Sequence, residues 1–226
     1  MQAFHNQQKI KDKYLDRVMV HQAADEIEKG YYWEDGKGCA VGCTIHSEDH
    51  SQYETELGIP TWLAKVEDRI FEGLPNERAK VWPKEFLDAI NVGADLEKVK
   101  IPFLIFVVES VREKFDHKKN PMQLAAIDGV LKELRRDKID VEKLREARSA
   151  AYAAAAAAAA FAAYAADAAA DAADAAAAAA DAAADAAAAD ADAADAADAD
   201  AADAAARANE YVKFADKLLE LLRECK

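Results

Sequence analysis

Residues 149–206 read SAAYAAAAAAAAFAAYAADAAADAADAAAAAADAAADAAAADADAADAADADAADAAA, and this tract decides the fold class. Of its 58 residues, 43 are Ala and 11 are Asp. Ala has the highest helix propensity of all residues. Neither Gly nor Pro occurs after Gly129, so nothing in the back half forces a helix to end. The back half of the chain is therefore predicted to be helical.

Asp is a poorer helix former than Ala, so its placement in the tract carries information. Most of the Asp residues return to one side at helical spacing, which indicates a solvated stripe opposite a bare Ala face. Asp190, Asp195 and Asp198 depart from the stripe. We therefore expect two or three stacked helices with turns near 190 and 198. An amphipathic helix closes the array, with an apolar face formed by Tyr211, Phe214, Leu218, Leu221 and Leu222.

The acidic stripe has two interpretations. It is either a surface that mimics a polyanion and binds a basic partner, or a solubilising face on an Ala-rich scaffold, and the second is favoured. The bare Ala faces are equally compatible with packing inside one chain and with packing between chains, so a homo-oligomer stays open.

The front half contains all the Gly and Pro residues, which divide it into shorter helices. Gly30 is expected to end a first helix over 6–29, and Pro60 to open a helix through 61–73. Further helices are predicted over 76–82, 83–91, 101–115 and from 122 onward, and Asp140 is a candidate N-cap. No segment alternates long enough to predict a strand. The chain is thus an all-α multi-helix array, with domains at 1–139 and 140–226.

Charge and composition exclude several classes of protein. The net charge is −14, of which the tract carries −11, and no basic patch offsets it, which argues against nucleic-acid binding. The most hydrophobic segment, residues 101–108, is too short to span a membrane, and the N-terminus has no apolar signal region. Three cysteines, an odd number, fit a reducing cytoplasm better than a disulfide framework. A cytoplasmic protein is expected.

The densest chemical cluster is residues 35–50, DGKGCAVGCTIHSEDH. Cys39, Cys43, His46 and His50 follow one another at +4, +3 and +4, which places them on one helix face. Two thiolates and two imidazoles are a reasonable zinc set. Four ligands along a straight helix cannot converge on one ion, however, and no second Cys/His pair exists. We expect no cofactor, with zinc as the alternative.

A second interpretation of the cluster is nucleophilic. Cys39 follows Gly36, Lys37 and Gly38 at an expected helix start, where free amides and the lysine would lower the pKa of its thiol. His46 or His50 would then act as the base.

A third interpretation is an anion cradle. The backbone amides of Gly36, Lys37, Gly38 and Cys39 would hold a phosphate at a helix N-terminus. Aromatic side chains precede them and would stack on a base or sugar; these are Tyr31, Tyr32 and Trp33. The segment is not a P-loop.

A structural interpretation also accounts for the cluster, as a tight turn that packs small residues against the first helix. This structural interpretation is favoured over the zinc set, over the nucleophile and over the anion cradle when it is compared with each in turn. Elsewhere, His21 on the apolar face of the first helix is expected to be a satisfied buried histidine. Cys225 is expected to be an exposed thiol.

Residues 36–75, GKGCAVGCTIHSEDHSQYETELGIPTWLAKVEDRIFEGLP, are followed by the Ala-rich array and a closing ADKLLELLREC. This arrangement resembles uncharacterised bacterial and bacteriophage proteins that carry a GCAVGC-type motif before a long Ala-rich tail. The Ala-rich half also resembles, by composition, immunity proteins proposed for bacterial toxin systems. The resemblance implies a cytoplasmic protein associated with mobile elements, and it implies no catalytic residues.

These observations favour a non-enzymatic binding or inhibitory protein over an enzyme. It would sequester a protein partner, or a small phosphorylated ligand held near residues 31–43. The alternatives are a small enzyme with Cys39 as nucleophile, and a metal-binding module that uses the four Cys and His residues of the cluster.

Overall fold

The structure is a computed structural model that describes residues 1–118, 121–138, Lys143, Glu146 and 196–226. Helices make up most of this part of the chain and confirm the all-α prediction. They are α1 (Gln8–Ala23), α2 (Ala40–Ile45), α3 (Thr61–Gly73), α4 (Asn76–Ala89), α5 (Glu97–Arg112), α6 (Pro121–Leu134) and α7 (Ala196–Glu224). A 3₁₀ segment lies at Ala3–Asn6 and a π-helical turn at Tyr53–Leu57. None of the described helices has both the length and the hydropathy needed to cross a bilayer.

One short antiparallel hairpin departs from the predicted absence of strands. Strand β1 (Trp33–Glu34) pairs with β2 (Lys37–Gly38), and Asp35 and Gly36 form the turn between them. Both turn residues have positive φ, 49° and 87°, as a two-residue hairpin turn requires. The sequence predicted this Asp-Gly turn but not the strands, because two-residue strands leave no alternating pattern.

Several helix boundaries differ from the predictions, and α5 spans Glu97–Arg112 rather than 101–115. Helix α1 ends at Ala23 rather than near Gly30, because Asp25 adopts a left-handed conformation with φ 55°. The region predicted as two helices is the single helix α4, which continues through Pro83. A proline inside a helix costs about 3 kcal/mol, and the buried side chains of Trp82 and Phe86 on either side offset this cost.

The prediction of a turn near 198 is wrong, because Asp198 lies inside α7. This helix runs without a break into the predicted closing helix, whose Tyr211, Phe214, Leu218 and Leu222 are buried. The predicted turn near 190, the Asp140 N-cap and the 139/140 domain boundary lie outside the described residues.

The contacts of the chain group into two compact units. The first contains 1–100 together with 215–226, and the second contains 101–214. In the first unit, α1 packs on α2 and α4, and α3 packs on α2 and α4. The largest fully buried side chains of its core are Phe4, Tyr14, Tyr53, Phe71, Trp82 and Phe86.

Hydrogen bonds from side chains to main-chain carbonyls hold the last residues of the chain in the first unit. The side-chain amide of Asn91 donates to the carbonyls of Arg223 and Cys225, at 3.0 and 2.8 Å. The Cys225 thiol donates to the carbonyl of Asp95 at 3.2 Å and is 8% exposed. The expectation of an exposed Cys225 is therefore wrong, because the helix end is docked rather than free.

The second unit holds a buried carboxylate in an ion-pair cluster. Glu210 of α7 is 2% exposed and accepts hydrogen bonds from Lys114 and Lys213. Burial alone would raise the pKa of Glu210, but the two ammonium groups lower it below its usual range. On the same helix, the Phe214 ring meets Tyr211 and, across to α5, Phe106, both edge-on.

A second buried carboxyl group, Glu67 of α3, lies in the core of the first unit and is paired with no cation that the structure describes. It is fully buried, and neither of its carboxyl oxygens accepts a hydrogen bond from a described residue. Burial raises the pKa of Glu67 well above its usual range, against a smaller opposing effect of the Tyr53 hydroxyl. Glu67 is therefore protonated in the fold at pH values where the unfolded chain has released the proton.

This pKa shift predicts that the free energy of unfolding falls as pH rises above about 4.5, the ordinary value for Glu. The Glu67→Gln variant removes the titration and keeps the shape. Its stability relative to wild type should increase with pH by up to about 1.4 kcal/mol per unit. Urea unfolding between pH 5 and 8 measures this difference, with the exposed Glu77→Gln as control. A pH-independent difference would contradict the account.

Candidate functional site

The backbone carbonyl of Tyr32 packs against two glycines, Gly38 of β2 and Gly42 of α2. A Cβ atom at Gly42 would lie 1.4 Å from the backbone oxygen of Tyr32, and one at Gly38 would lie 2.2 Å from the same atom. Only glycine allows this approach, since no side-chain carbon tolerates such distances. The two glycines of the GCAVG segment are therefore explained by packing, because they allow the aromatic residues 31–33 to contact the first turn of α2.

Cys39 is the N-cap of α2, as its position in the sequence suggested. Its Sγ accepts a hydrogen bond from the Gly42 amide at 3.5 Å, and its own amide donates to the Tyr31 carbonyl at 2.7 Å. The Gly38 amide donates to the Glu26 carbonyl at 3.1 Å. Because these two of the four suggested amides are bonded within the protein, they are not free to hold a phosphate as the sequence suggested.

Lys37 also differs from its expected role. Its Nζ lies 2.6 Å from Glu28 Oε1, so its charge pairs with a surface carboxylate. It does not lower the pKa of Cys39. Burial and then the neighbouring Asp68 carboxylate raise the pKa of that thiol far above its ordinary value. The expectation of an activated Cys39 is therefore not met by this geometry.

A cavity of about 240 Å³ opens beside Cys39. It brings together three of the predicted ligand-binding residues, Tyr31, Tyr32 and Cys39, and not Trp33, Gly36, Lys37 or Gly38. The remaining lining residues are Gly30, Asp68, Arg69 and Glu72. Tyr31 and Tyr32 form an exposed rim, at 55% and 47% of their full accessibility.

The cavity has a negative potential that centres on Asp68. This carboxylate raises the pKa of Tyr32. Burial, and then Asp68, also raise the pKa of Glu72, whose Oε1 accepts a hydrogen bond from the Gly30 amide at 3.2 Å. The Oδ1 atom of Asp68 is buried and accepts no hydrogen bond from a described residue. Arg69 offsets part of this charge.

His50 does not line the cavity, but it contacts two residues that do, Asp68 and Tyr32. Its Nε2 lies 3.4 Å from Asp68 Oδ2, and its ring meets Tyr32 edge-on at 5.6 Å. The carboxylate therefore faces both the Cys39 thiol and the imidazole. In a catalytic Cys-His-Asp arrangement the imidazole must contact the thiol, so this order does not supply Cys39 with a base.

His46 lies in a separate cluster. It follows α2 with a left-handed φ of 57°, and its Nε2 lies 2.8 Å from Nε2 of His21. His21 Nδ1 lies 2.7 Å from Glu26 Oε2, and the Trp33 ring stacks on His46 at 4.2 Å. His21 is 8% exposed, so it is the buried, satisfied histidine that the sequence indicated.

The four ligands of the suggested zinc set do not converge. Cys43 donates to the carbonyl of Gly38 at 3.3 Å, and burial raises the pKa of its thiol to about 12. Cys39, His46 and His50 each face different partners. In the part of the chain that the structure describes, no group of three or more His, Cys, Asp or Glu side chains is arranged to hold a metal ion.

Sequence reasoning missed the contribution of α3 to the cavity. Asp68 and Glu72 are four residues apart and Arg69 lies beside them, so the helical repeat puts the two carboxylates on one face. The opposite face carries the apolar Val66 and Ile70. That polar face was visible in the sequence, but nothing in the sequence indicated that residues 30–32 would cover it.

Comparisons of the chain with protein-family models, with curated proteins and with solved structures gave no match. The function must therefore be argued from the geometry of the two clusters.

The glycine contact predicts a large effect of one methyl group. In Gly42→Ala the added carbon cannot coexist with the Tyr32 carbonyl, so we expect a loss of about 3 kcal/mol or more in the free energy of unfolding. Gly129→Ala is the matched control, since a Cβ there meets nothing within 4 Å. In the middle of α6 it should add about 0.5–1 kcal/mol. Equal effects of the two substitutions in urea unfolding would contradict the packing.

The raised pKa of Cys39 predicts slow chemistry at its thiol. Alkylation by iodoacetamide at pH 8 should be roughly a hundredfold slower in the folded protein than in denaturant, because little thiolate forms and the sulfur is buried. Peptide mapping by mass spectrometry measures the rate at each cysteine. Rapid alkylation of Cys39 in the folded protein would restore the nucleophilic interpretation.

Proposed function

We propose that the chain is a non-enzymatic binding protein that recognises a basic protein partner, with a cationic side chain of that partner entering the cavity beside Asp68. The observation that carries this proposal is a carboxylate-lined cavity with two exposed tyrosines at its rim. The association with bacterial mobile elements and the cytoplasmic location remain predictions from the sequence.

The size of the cavity supports a single side chain as its guest. Pockets for drug-sized ligands usually have volumes of 300–1,000 Å³, and this one, at about 240 Å³, lies below that range. Tyrosine is one of the residues most enriched at the energetic centres of protein interfaces. Tyr31 and Tyr32 are thus suited to contact the surface from which such a side chain projects.

The charge of the cavity supports a cation rather than an anion. Two carboxylates, Asp68 and Glu72, line it against one guanidinium, Arg69, and the Asp68 side chain keeps 14% of its accessibility. An ammonium or guanidinium donor binds an accessible carboxylate oxygen with a charge-assisted hydrogen bond. A phosphorylated ligand would instead meet two carboxylates, while the amides of Gly38 and Cys39 are already bonded.

The overall charge of −14 also suits a basic partner, because opposite net charges steer association. It does not distinguish a site from a generally acidic surface. The test must therefore use a probe that carries one charge and engages one cavity.

The probe is the tripeptide acetyl-Gly-Lys-Gly-amide, or its arginine counterpart, titrated into the labelled protein and followed by NMR. We expect resonances of Tyr31 and Tyr32 to shift in a saturable way. Acetyl-Gly-Gln-Gly-amide, which is neutral, should not shift them. Higher ionic strength should weaken binding of the cationic peptides.

Substitutions then locate the interaction. Asp68→Asn keeps the side-chain shape and should weaken binding of the cationic peptide about fivefold. Asp88→Asn removes the same charge from an exposed position outside the cavity and should have little effect. Equal weakening by the two variants would reduce the proposal to general electrostatic attraction. Equal binding of the neutral peptide would refute it.

A further inference from the structure

The cluster around His21 and His46 is separate from the cavity and has its own geometry. The two Nε2 atoms come from different elements, α1 and the residue after α2, and lie 2.8 Å apart. The rings are nearly perpendicular, at 83°, with centroids 5.0 Å apart. The two imidazole nitrogens thus face each other across a gap between two elements, rather than lying along one helix face.

Each ring is held by a contact that leaves this nitrogen available. The Glu26 carboxylate lies 2.7 Å from His21 Nδ1, which places a proton on Nδ1 and a lone pair on the Nε2 atom that faces His46. Trp33 stacks on the face of His46 at an interplanar angle of 15°, which leaves the ring edge that carries Nε2 uncovered. A carboxylate behind a histidine is the usual second contact of a histidine that binds a metal.

The two Nε2 atoms are separated by the distance of a hydrogen bond, and a small movement brings them to the separation of two ligands on one metal ion. Two nitrogens each about 2.0–2.1 Å from a tetrahedral ion lie about 3.3 Å from one another. The nitrogens must therefore separate by about half an ångström, and the rings must tilt so that both lone pairs meet at the ion. His21 is buried in α1, whereas His46 is exposed at the end of a six-residue helix, so His46 is the ring with room to move.

Among the residues that the structure describes, the site has two protein ligands. The thiol of Cys43 is directed to backbone carbonyls and His50 is directed to Asp68, so neither reaches this position. Arg17, near His46, opposes a cation, while Glu26 and Glu56 favour one. Water would fill the remaining coordination positions.

We propose that His21 and His46 form a binding site for a divalent transition-metal ion of the kind that prefers imidazole, such as Zn²⁺ or Cu²⁺. The site uses one residue of the set suggested by the sequence, His46, and pairs it with a histidine that the sequence assigned to the core. It does not depend on the proposed cavity, because no lining residue of the cavity takes part.

Isothermal titration of the full chain with ZnCl₂ tests the site, with MgCl₂ as an ion that prefers oxygen ligands. One Zn²⁺ per chain should bind, and His21→Gln or His46→Gln should each weaken binding at least about tenfold. His50→Gln, which changes a histidine beside the neighbouring cavity, should bind as wild type does. Circular dichroism of each variant separates loss of a ligand from loss of the fold.

The fluorescence of Trp33 gives a second readout, since the ring that stacks on it must move when the ion binds. A folded His46→Gln variant that binds Zn²⁺ as tightly as wild type would overturn the proposal. So would the absence of Zn²⁺ binding below millimolar concentration, which would leave the two imidazoles as a simple hydrogen-bonded pair.

Discussion

The contact of the Tyr32 carbonyl with Gly38 of β2 and Gly42 of α2 is the constraint on which the rest of the first unit's surface depends. Because Gly38 and Gly42 have no side chain, the backbone at 31–33 lies directly on the first turn of α2. That contact allows the Cys39 amide to bond to the Tyr31 carbonyl and the Gly38 amide to bond to the Glu26 carbonyl. The aromatic residues 31–33 are thereby held against α2.

Adjacent residues of this aromatic segment contact two different clusters. Tyr32 lines the acidic cavity, while Trp33, the first residue of β1, stacks on His46 and meets His21 edge-on at 5.3 Å. Tyr32 lies in a bend and Trp33 begins the strand, so the chain changes direction between the two side chains. One packing contact therefore positions both a cavity suited to cations and a pair of converging imidazoles.

Much of the first unit could be predicted from local patterns. Pro60 and the repeat of Trp62, Val66 and Ile70 gave the helix α3, and Asp35-Gly36 gave the hairpin turn. The end of α1 could not be predicted, since Asp25 rather than Gly30 takes the left-handed conformation. The unbroken α4 depends on buried neighbours that compensate Pro83, which a single sequence does not show.

The candidate site was harder to predict because it depends on contacts between distant segments. The cluster at 35–50 was correctly singled out as chemically dense, but local spacing suggested one face with four ligands. The short α2 instead ends at Ile45, so His46 turns toward His21 and His50 toward Asp68. Asp68 and His21 lie 18 and 25 residues from these partners, and no spacing rule connects them.

Amide hydrogen exchange at Cys39 and Gly38 tests the central contact most directly. Neither amide bonds within a helix: that of Cys39 bonds across the contact to the Tyr31 carbonyl at 2.7 Å, and that of Gly38, against which the Tyr32 carbonyl packs, bonds to the Glu26 carbonyl at 3.1 Å. The account predicts that they exchange only through global unfolding, as slowly as the buried amides in the middle of α4. Exchange at the rate of an exposed loop would show that the 31–33 segment is not held on α2, and would contradict the basis of both sites.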